Sequence, residues 1–209
     1  DEATEEVLLE SLSSLDQAEI RQIGEIRRWQ RGTLVGSGSY GKVFLGMNRD
    51  TAELFVVKQV VSMAREKCED VIQLEQEIAL LAQLEHVNIV KYLGTELNSE
   101  TNELSIFLEY MPGGSIADLV RKFGALDEQV IRRYTREVLE GLCYLHTKGI
   151  IHRDIKGQNL LVDSRGVCKL ADFGASRYLQ SADSEAHLSF KGTPVFMSPE
   201  VITSQRYSK

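Results

Sequence analysis

The amino-acid sequence predicts an α+β protein with two lobes, a strand-rich one followed by a mainly helical one. From Trp29 to Glu109 the chain carries short apolar runs rich in β-forming residues, separated by Gly, Asn and Asp. Beyond Pro112-Gly113-Gly114, which breaks the chain, apolar residues recur at steps of three and four, as on the buried face of a helix. This order, strands first and helices later, indicates a strand-rich lobe followed by a separate helical lobe.

The individual elements follow in chain order. The predicted strands are 33–35, 43–45, 54–57, 89–93 and 104–109. A first helix, between the third and fourth strands, has a buried face made of Val71, Leu74, Ile78 and Leu81. A second helix starts after its N-cap, Asp127, ends at Gly149, and carries Val130, Ile131, Tyr134, Val138, Leu142 and Leu145. Residues 1–28 are acidic at their start and predict a helical tether or linker.

Composition excludes several classes of protein. The net charge of −7 argues against nucleic-acid binding, which demands clustered Lys and Arg. Three widely spaced cysteines without a CxxC pattern fit a reducing compartment better than a disulfide framework or a zinc site. The chain lacks both a secretory signal and an apolar run of the ~20 residues that a membrane-spanning helix needs. We therefore expect a cytoplasmic protein that binds neither nucleic acid nor membrane.

A glycine-rich pattern, Gly36-Ser37-Gly38-Ser39-Tyr40-Gly41, precedes Val43. Glycines let a backbone approach phosphates closely and point its N–H groups at them. A dinucleotide-binding motif would need a helix after the glycines, whereas here they lie between two predicted strands. The pattern therefore predicts a glycine-rich flap on a β-hairpin.

Lys58 closes the third predicted strand and allows two interpretations. Alone, it is an edge residue with its ammonium group in water. Paired with an acidic residue of the following helix, it could hold nucleotide phosphates. Glu77 and Glu75 are the two candidates, and Glu77 is preferred because it directly precedes Ile78 of the buried face.

The most specific stretch is His152-Arg153-Asp154-Ile155-Lys156-Gly157-Gln158-Asn159, in which five specified polar residues, all but Gln158, stand at fixed spacing. Asp172-Phe173-Gly174, Gly192-Thr193-Pro194 and Ser198-Pro199-Glu200 follow it in order. With the glycine-rich flap and Lys58, this series resembles the protein kinases. The resemblance covers Trp29 to Lys209 and implies a kinase domain over 29–209. Its N-lobe would be about 29–111 and its partial C-lobe about 112–209.

The resemblance implies roles for individual residues. Asp154 would accept the proton of the substrate hydroxyl, and Lys156 would steady the transferring phosphoryl group. Asn159 and Asp172 would hold Mg²⁺, and Lys58 with Glu77 would hold the phosphates of ATP. The rest of the implied ATP site is Val35, Gly36, Ser37, Gly38, Ser39, Tyr40, Gly41, Val43, Val56, Glu109, Met111, Ser115 and Leu161. Val56 departs from the family, which usually has Ala there.

Further features resemble particular kinases. Lys156, two residues after Asp154, is the form found in Ser/Thr kinases, where Thr193 would contact both side chains. The phrases that resemble MAP kinase kinase kinases are 29–32, 46–48, 109–115 and 192–200. A MAP kinase kinase is then the implied protein substrate, although a sister group one tier higher shares many of these phrases. A pseudokinase acting as a scaffold is the alternative from another class. It is disfavoured because the implied catalytic and metal residues are all present.

Regulation is also implied by the resemblance. Arg153 would pair with a phosphate in the segment after Gly174 and order it. Candidate phosphorylation sites are Ser181, Ser184 and, preferred, Ser189, with Lys169 and Arg177 as further partners; solvated loop serines are the alternative. His152 and Phe173, with Leu81 and Tyr92, would form an apolar stack, and Leu108 would be the gatekeeper of the adenine site. The resemblance implies a kinase domain that continues past Lys209, so this chain alone should be inactive. Regulatory partners should lie outside this chain.

Overall fold

The computed structural model describes residues 26, 28–38, 41–60, 78–98, 103–178 and 192–204. The chain divides into two compact units. The first comprises Asp1–Leu84 with Lys91–Tyr110, and the second Glu85–Val90 with Met111–Lys209. Most of the predicted tether, residues 1–25 and 27, lies outside the described residues.

The first unit contains a five-stranded antiparallel sheet. Its strands are β1 (Trp29–Gly38), β2 (Gly41–Asn48), β3 (Leu54–Val60), β4 (Tyr92–Asn98) and β5 (Glu103–Glu109), in the spatial order β1-β2-β3-β5-β4. Four of the predicted strands are confirmed, although each is longer than its apolar run. The additional length comes from ladder pairing between neighbours, which does not depend on apolar side chains.

The predicted strand at 89–93 is wrong in its first half, since β4 begins only at Tyr92. Ile89 forms an isolated parallel bridge with Leu170 instead. The Leu170 N–H donates to Asn88 O at 2.8 Å, and the Val90 N–H donates to Leu170 O at 2.9 Å. The segment 88–90, which itself belongs to the second unit, is therefore bonded to Leu170 of β9 and not to a strand of the five-stranded sheet.

The two faces of this sheet differ in character. Phe55, Val57 and Phe107 form a buried cluster on one face, which we call the aromatic face, with Ile26, Trp29 and Leu93 packed against it. Lys58 alternates with these residues along β3 and belongs to the opposite face, which we call the Lys58 face. Residues 78–82 are helical, and Ile78 and Leu81 are buried as predicted. Val71 and Leu74 of the same predicted face lie outside the described residues.

The second unit is mixed but mainly helical. Its helices are α2 (Ile116–Phe123), α3 (Glu128–Thr147) and α4 (Pro199–Ser204), counting 78–82 as α1, with a 3-10 turn at Pro194–Phe196. Its short strands are β6 (Gly114–Ser115), β7 (Ile150–Ile151), β8 (Leu160–Val162), β9 (Cys168–Leu170) and β10 (Arg177–Tyr178), arranged as β6-β8-β9 and β7-β10. These two architectures confirm the predicted α+β class. Within the described part of the chain, no helix has the length and apolar character needed to cross a membrane.

Helix α2 was not predicted, although its start is encoded in the sequence. Ser115 is the N-cap, and its hydroxyl accepts the Asp118 N–H at 3.0 Å. The Asp118 carboxylate accepts the Ser115 N–H at 3.3 Å in return. This reciprocal capping box satisfies two N–H groups that the first turn of a helix leaves without an intrahelical partner.

Helix α3 starts after Asp127, as predicted, but the Asp127 side chain makes no capping hydrogen bond. The helix ends at Thr147, just before Gly149, whose φ of 75° suits glycine. Its buried residues are Tyr134, Gly141 and Leu145. Ile131, one of the apolar residues predicted on this helix, is 49% exposed, since at 3.6 residues per turn it lies about 60° around the helix from the centre of the buried stripe.

Replacing Gly141 by alanine should lower the free energy of unfolding, although alanine ordinarily favours a helix by about 1 kcal/mol over glycine. A β-carbon at Gly141 would lie 2.9 Å from the backbone O of Asn88 and 2.9 Å from Leu170 Cδ1. Overpacking of this kind typically costs about 1–3 kcal/mol, so we expect a net loss on the order of 1 kcal/mol in urea unfolding. The exposed Glu140→Ala in the same helix is the control and should cost nothing. A Gly141→Ala variant as stable as the parent would contradict the close packing of α3.

Candidate active site

The predicted catalytic run occupies the loop between β7 and β8, residues 152–159. Both ends of the loop are held by strand pairing. Ile150 and Ile151 of β7 pair with β10, and β8 pairs with β6 on one side and β9 on the other. The loop therefore begins and ends at fixed points, and its side chains can be positioned by a few hydrogen bonds.

Asp154 is the centre of these hydrogen bonds. Lys156 Nζ lies 2.7 Å from Asp154 Oδ2, and Asn159 Nδ2 donates to the same oxygen at 2.9 Å. Thr193 Oγ1 donates to Asp154 Oδ1 at 2.8 Å and accepts from Lys156 Nζ at 2.7 Å. The contact of Thr193 with Asp154 and Lys156 that the sequence analysis expected is thus present in the structure. We call these four residues the Asp154 cluster.

The Asp154 cluster keeps a nearly buried carboxyl group ionised. Asp154 is only 9% exposed, and burial by itself raises the pKa of its carboxyl. The hydrogen bonds from Lys156, Thr193 and Asn159, together with the Lys156 charge, outweigh burial and hold the pKa of Asp154 below its ordinary value. At neutral pH the cluster therefore presents a carboxylate that can accept a proton.

His152 is a buried, neutral residue at the start of the catalytic loop, which it holds against the segment after β9. It is 1% exposed, and burial lowers the pKa of its imidazole. His152 Nε2 lies 3.0 Å from Ala171 O, so this nitrogen carries the proton and donates it to the carbonyl. The ring also packs on Phe173, with centroids 5.0 Å apart, which is half of the expected apolar stack. Leu81 and Tyr92, the other two members, are buried in the first unit.

Asn159 and Asp172, the predicted metal ligands, are brought together by the backbone. The Ala171 N–H donates to Asn159 O at 2.9 Å, which places Asp172 one residue from that contact. Asn159 uses Nδ2 for both of its bonds to Asp154, so its carbonyl oxygen Oδ1 is not engaged by them. A carboxylate and an amide oxygen fit Mg²⁺, which takes hard ligands and keeps water or phosphate oxygens in its other positions. Among the described residues, no three or more His, Cys, Asp or Glu residues are grouped to hold a metal.

The loop is also tied to residues 175–176 and 192. Arg153 has a φ of 66°, and its Nε donates to Ala175 O. Ser176 Oγ donates to His152 O at 3.3 Å. A β-carbon at Gly192 would lie 2.8 Å from Arg153 O, so only glycine allows this approach. Ser176 belongs to no motif of the sequence, so its part in the site was not predicted; Gly192 was predicted only as part of the Gly-Thr-Pro motif.

The predicted phosphorylation sites Ser181, Ser184 and Ser189 lie outside the described residues. Of the proposed partners, Lys169 is 7% exposed within β9 and Arg177 begins β10. The regulatory role of Arg153 therefore stays a prediction.

The predicted phosphate flap is a hairpin in the first unit. Gly36 pairs with Val43 and Gly38 with Gly41, so the glycines lie at the adjoining ends of β1 and β2, and the predicted β-hairpin is confirmed. Among the described residues, no atom would lie within 4 Å of a β-carbon at Gly36. Packing within that part of the chain therefore does not explain this glycine, whereas close approach of a ligand to the backbone would. Ser39 and Tyr40 lie outside the described residues, and Ser37 is exposed.

Strand register places other predicted ATP-site residues on the Lys58 face. Lys58 lies directly opposite Val43 on β2, and Val56 lies opposite Leu45 and the predicted gatekeeper Leu108. Residues that pair directly across an antiparallel ladder point to the same face. Lys58 is half-buried, while its predicted partner Glu77 and the competing Glu75 lie outside the described residues. Val35, further along β1, is 52% exposed.

The remaining predicted residues come from both units. Glu109 ends β5 in the first unit, and Met111, 7% exposed, begins the longer segment of the second unit. In the second unit Ser115 pairs with Leu161 of β8. The Ser115 hydroxyl is held by Asp118 at 2.8 Å, so its geometry indicates a helix cap and lends no support to its predicted part in nucleotide binding.

Comparisons with known proteins identify relatives over most of the chain. The family model for the protein kinase domain matches residues 29–209. The chain is 51% identical over 87% of its length to mitogen-activated protein kinase kinase kinase 2 of Arabidopsis thaliana, covering 28% of that protein. It is 48% identical over 84% of its length to mitogen-activated protein kinase kinase kinase A of Dictyostelium discoideum, covering 19%. A human relative, mitogen-activated protein kinase kinase kinase 3, is 46% identical over 87% of the chain, covering 30%. The chain thus spans less than a third of each of these relatives.

Replacing Thr193 by valine should raise the pKa of Asp154. The change keeps the size of the side chain but removes the hydroxyl that donates to Asp154 Oδ1 and accepts from Lys156 Nζ. Burial of the Asp154 carboxyl, which raises its pKa, remains. Carbon-13 NMR titration of the aspartate carboxyl groups would measure the shift. Thr193→Ser retains the hydroxyl and should leave the pKa of Asp154 where it is. An unchanged pKa in Thr193→Val would show that Thr193 does not hold the carboxylate.

Proposed function

Because this chain belongs to the protein kinase family, we propose that its protein is a Ser/Thr protein kinase that transfers the γ-phosphoryl group of ATP to a MAP kinase kinase. The observation that carries the proposal is the Asp154 cluster. A carboxylate held ionised by three side chains at 2.7 to 2.9 Å is a positioned proton acceptor beside two candidate metal ligands.

The Asp154 carboxylate would orient the substrate hydroxyl and take its proton as the phosphoryl group is transferred. Lys156 is bonded to Asp154 and to Thr193, so its ammonium group is fixed where negative charge develops on the transferring group. The side chains form no covalent intermediate in this chemistry. Their contribution is positioning and charge neutralisation, which depend on distances that the hydrogen bonds already fix.

Each unit, taken by itself, carries groups that suit Mg·ATP. In the first, the glycine hairpin offers backbone N–H groups, and Lys58 on the Lys58 face offers a charge for the phosphates. In the second, Asn159 Oδ1 and the Asp172 carboxylate would hold Mg²⁺. When bound, Mg²⁺ neutralises phosphate charge and orients the phosphate chain.

Two features support a Ser/Thr substrate within a MAP kinase cascade. The bonds that join Lys156, Thr193 and Asp154 are those that the resemblance to Ser/Thr kinases implied. The relatives from a plant, an amoeba and a human, each 46–51% identical to the chain, are all named mitogen-activated protein kinase kinase kinases. A MAP kinase kinase is therefore the substrate that we propose.

Asp154→Asn should abolish transfer of labelled phosphate from ATP to a catalytically inactive MAP kinase kinase. Asparagine keeps the size of the side chain but cannot accept the proton, so we expect a loss of about 1,000-fold or more in rate. The natural full-length protein is the enzyme to use, and phosphopeptide mapping would show whether Ser or Thr is modified.

Asp163→Asn is the matched control for that experiment. Asp163 is also buried and accepts backbone N–H groups from Arg165 and Val167 at 2.8 and 2.9 Å, but it lies in the β8–β9 turn. Its asparagine variant should keep phosphate transfer. Equal activity of Asp154→Asn and the parent would refute the role of Asp154. Transfer to a generic Ser/Thr substrate but not to the MAP kinase kinase would refute the proposed substrate and leave the proposed Ser/Thr kinase activity standing.

Mg·ATP should raise the melting temperature of the parent protein, and Asp172→Asn should remove most of that effect. A ligand at 100 times its dissociation constant stabilises the native state by about 2.7 kcal/mol through mass action. Differential scanning fluorimetry with ATP in Mg²⁺ and in EDTA would measure the shift. Stabilisation by Mg·ATP without any phosphate transfer would favour a pseudokinase that acts as a binding module.

A further inference from the structure

The glycine hairpin joins two strands that are held differently: β2 pairs with β3 from Lys42 onward, whereas β1 is an edge strand of the described sheet. In the order β1-β2-β3-β5-β4 of the described strands, β1 has β2 as its neighbour on one side and is at the edge on the other. Backbone pairing therefore fixes β1 from one side. An edge strand held in this way can shift or open locally unless side chains fasten it elsewhere.

Trp29, the first residue of β1, provides such a fastening on the aromatic face. Its ring meets Phe55 of β3 at 6.2 Å and Phe107 of β5 at 5.5 Å, both edge-to-face. Its Nε1 donates to Glu96 Oε2 of β4 at 2.8 Å. One side chain thus connects the edge strand that carries the hairpin to three strands with which it does not pair.

A glycine in β2 makes this connection possible. Gly46 lies directly opposite Phe55, and a β-carbon at Gly46 would be 2.4 Å from Phe55 Cε2. The Phe55 ring therefore lies over the backbone of β2, where Trp29 can reach its edge. Any side chain at 46 would displace the ring that Trp29 contacts.

Arg31 makes a second set of side-chain contacts that hold β1, and beyond it the pairing of β1 becomes irregular. Arg31 Nη1 donates to Gln59 Oε1 at 3.0 Å, and its guanidinium lies 5.0 Å from the centroid of the Phe44 ring. Beyond Arg31 the pairing of β1 with β2 shifts register twice, before and after Leu34. Leu34 and Val35 are 56% and 52% exposed. β1 therefore consists of a base, 29–31, held by side-chain contacts, and a less supported part, 33–38, which includes Gly36 and Gly38.

We propose that Trp29 is a positioning residue for ATP binding, which it would influence by fixing the base from which the glycine hairpin extends. The inference rests on the proposed function of the hairpin as a phosphate flap. Trp29 belongs to the aromatic face, opposite to the Lys58 face, so it acts through β1 and not by contact with the nucleotide. The register shifts around Leu34 are the points at which the hairpin moves when its base is released.

The test compares Trp29→Ala and Trp29→Phe with the parent in the natural full-length protein. We expect Trp29→Ala to raise the KM for ATP roughly threefold to tenfold, with kcat at saturating ATP within about twofold of the parent. Hydrogen exchange of the backbone amides in 33–43 should become faster. Trp29→Phe keeps an aromatic ring against Phe55 and Phe107 and should restore most of the lost affinity. If Trp29→Ala does not fold, Trp29→Leu takes its place with the same expectations.

Leu93→Ala is the matched control. Leu93 packs on the same aromatic cluster but belongs to β4, which does not pair with β1. It should lower the melting temperature while leaving the KM for ATP and the exchange of 33–43 unchanged. An unchanged KM in Trp29→Ala, or an equal rise in Leu93→Ala, would overturn the inference. If the parent transfers no phosphate, the proposed function fails, and unchanged exchange of 33–43 in Trp29→Ala would overturn this inference separately.

Discussion

A carboxylate with little access to water costs several kcal/mol of free energy unless other groups supply what water would have supplied. Asp154 meets this constraint with three donors, Lys156, Asn159 and Thr193, at 2.7 to 2.9 Å. Two of the donors lie within five residues of it, but Thr193 is 39 residues away. To keep Asp154 ionised, the chain must therefore bring a distant segment back to the catalytic loop. Gly192 permits that approach, since a β-carbon there would lie 2.8 Å from Arg153 O.

The framework beneath the loop depends on similar close approaches. His152 is held by Ala171 O, and Ala171 is held by Asn159 O, so the loop and the segment after β9 fix each other. Leu170, which directly precedes Ala171 and ends β9, exchanges backbone hydrogen bonds with the 88–90 segment. Gly141 of α3 lets that segment and Leu170 lie directly against the helix. The position of the chemical groups thus follows from backbone contacts among segments that are far apart in sequence.

This arrangement explains how far the sequence could predict the structure. The fixed spacing of the run from His152 to Asn159 identified most of the Asp154 cluster, because those residues act within one short loop. Local signals also gave the glycine hairpin and the start of α3. The strand at 89–93 was wrong because the backbone partner of Ile89 is Leu170, and an apolar run carries no information about its partner. The aromatic face could not be predicted from the sequence either, since Trp29 meets Phe55 and Phe107 only once the order and register of the strands are known.

We propose that the Asp154 cluster and the pair Asn159 and Asp172 form a phosphate-transfer site that needs no rearrangement of the catalytic loop. A crystal structure of the natural protein with Mg²⁺ and a non-hydrolysable ATP analogue would test it most directly. We expect Asn159 Oδ1 and an Asp172 oxygen to lie about 2.1 Å from the metal ion. Asn159 Nδ2 and Thr193 should still donate to Asp154. A metal ion bound elsewhere, or an Asp154 carboxylate that leaves Thr193 and Lys156 to reach it, would contradict the account.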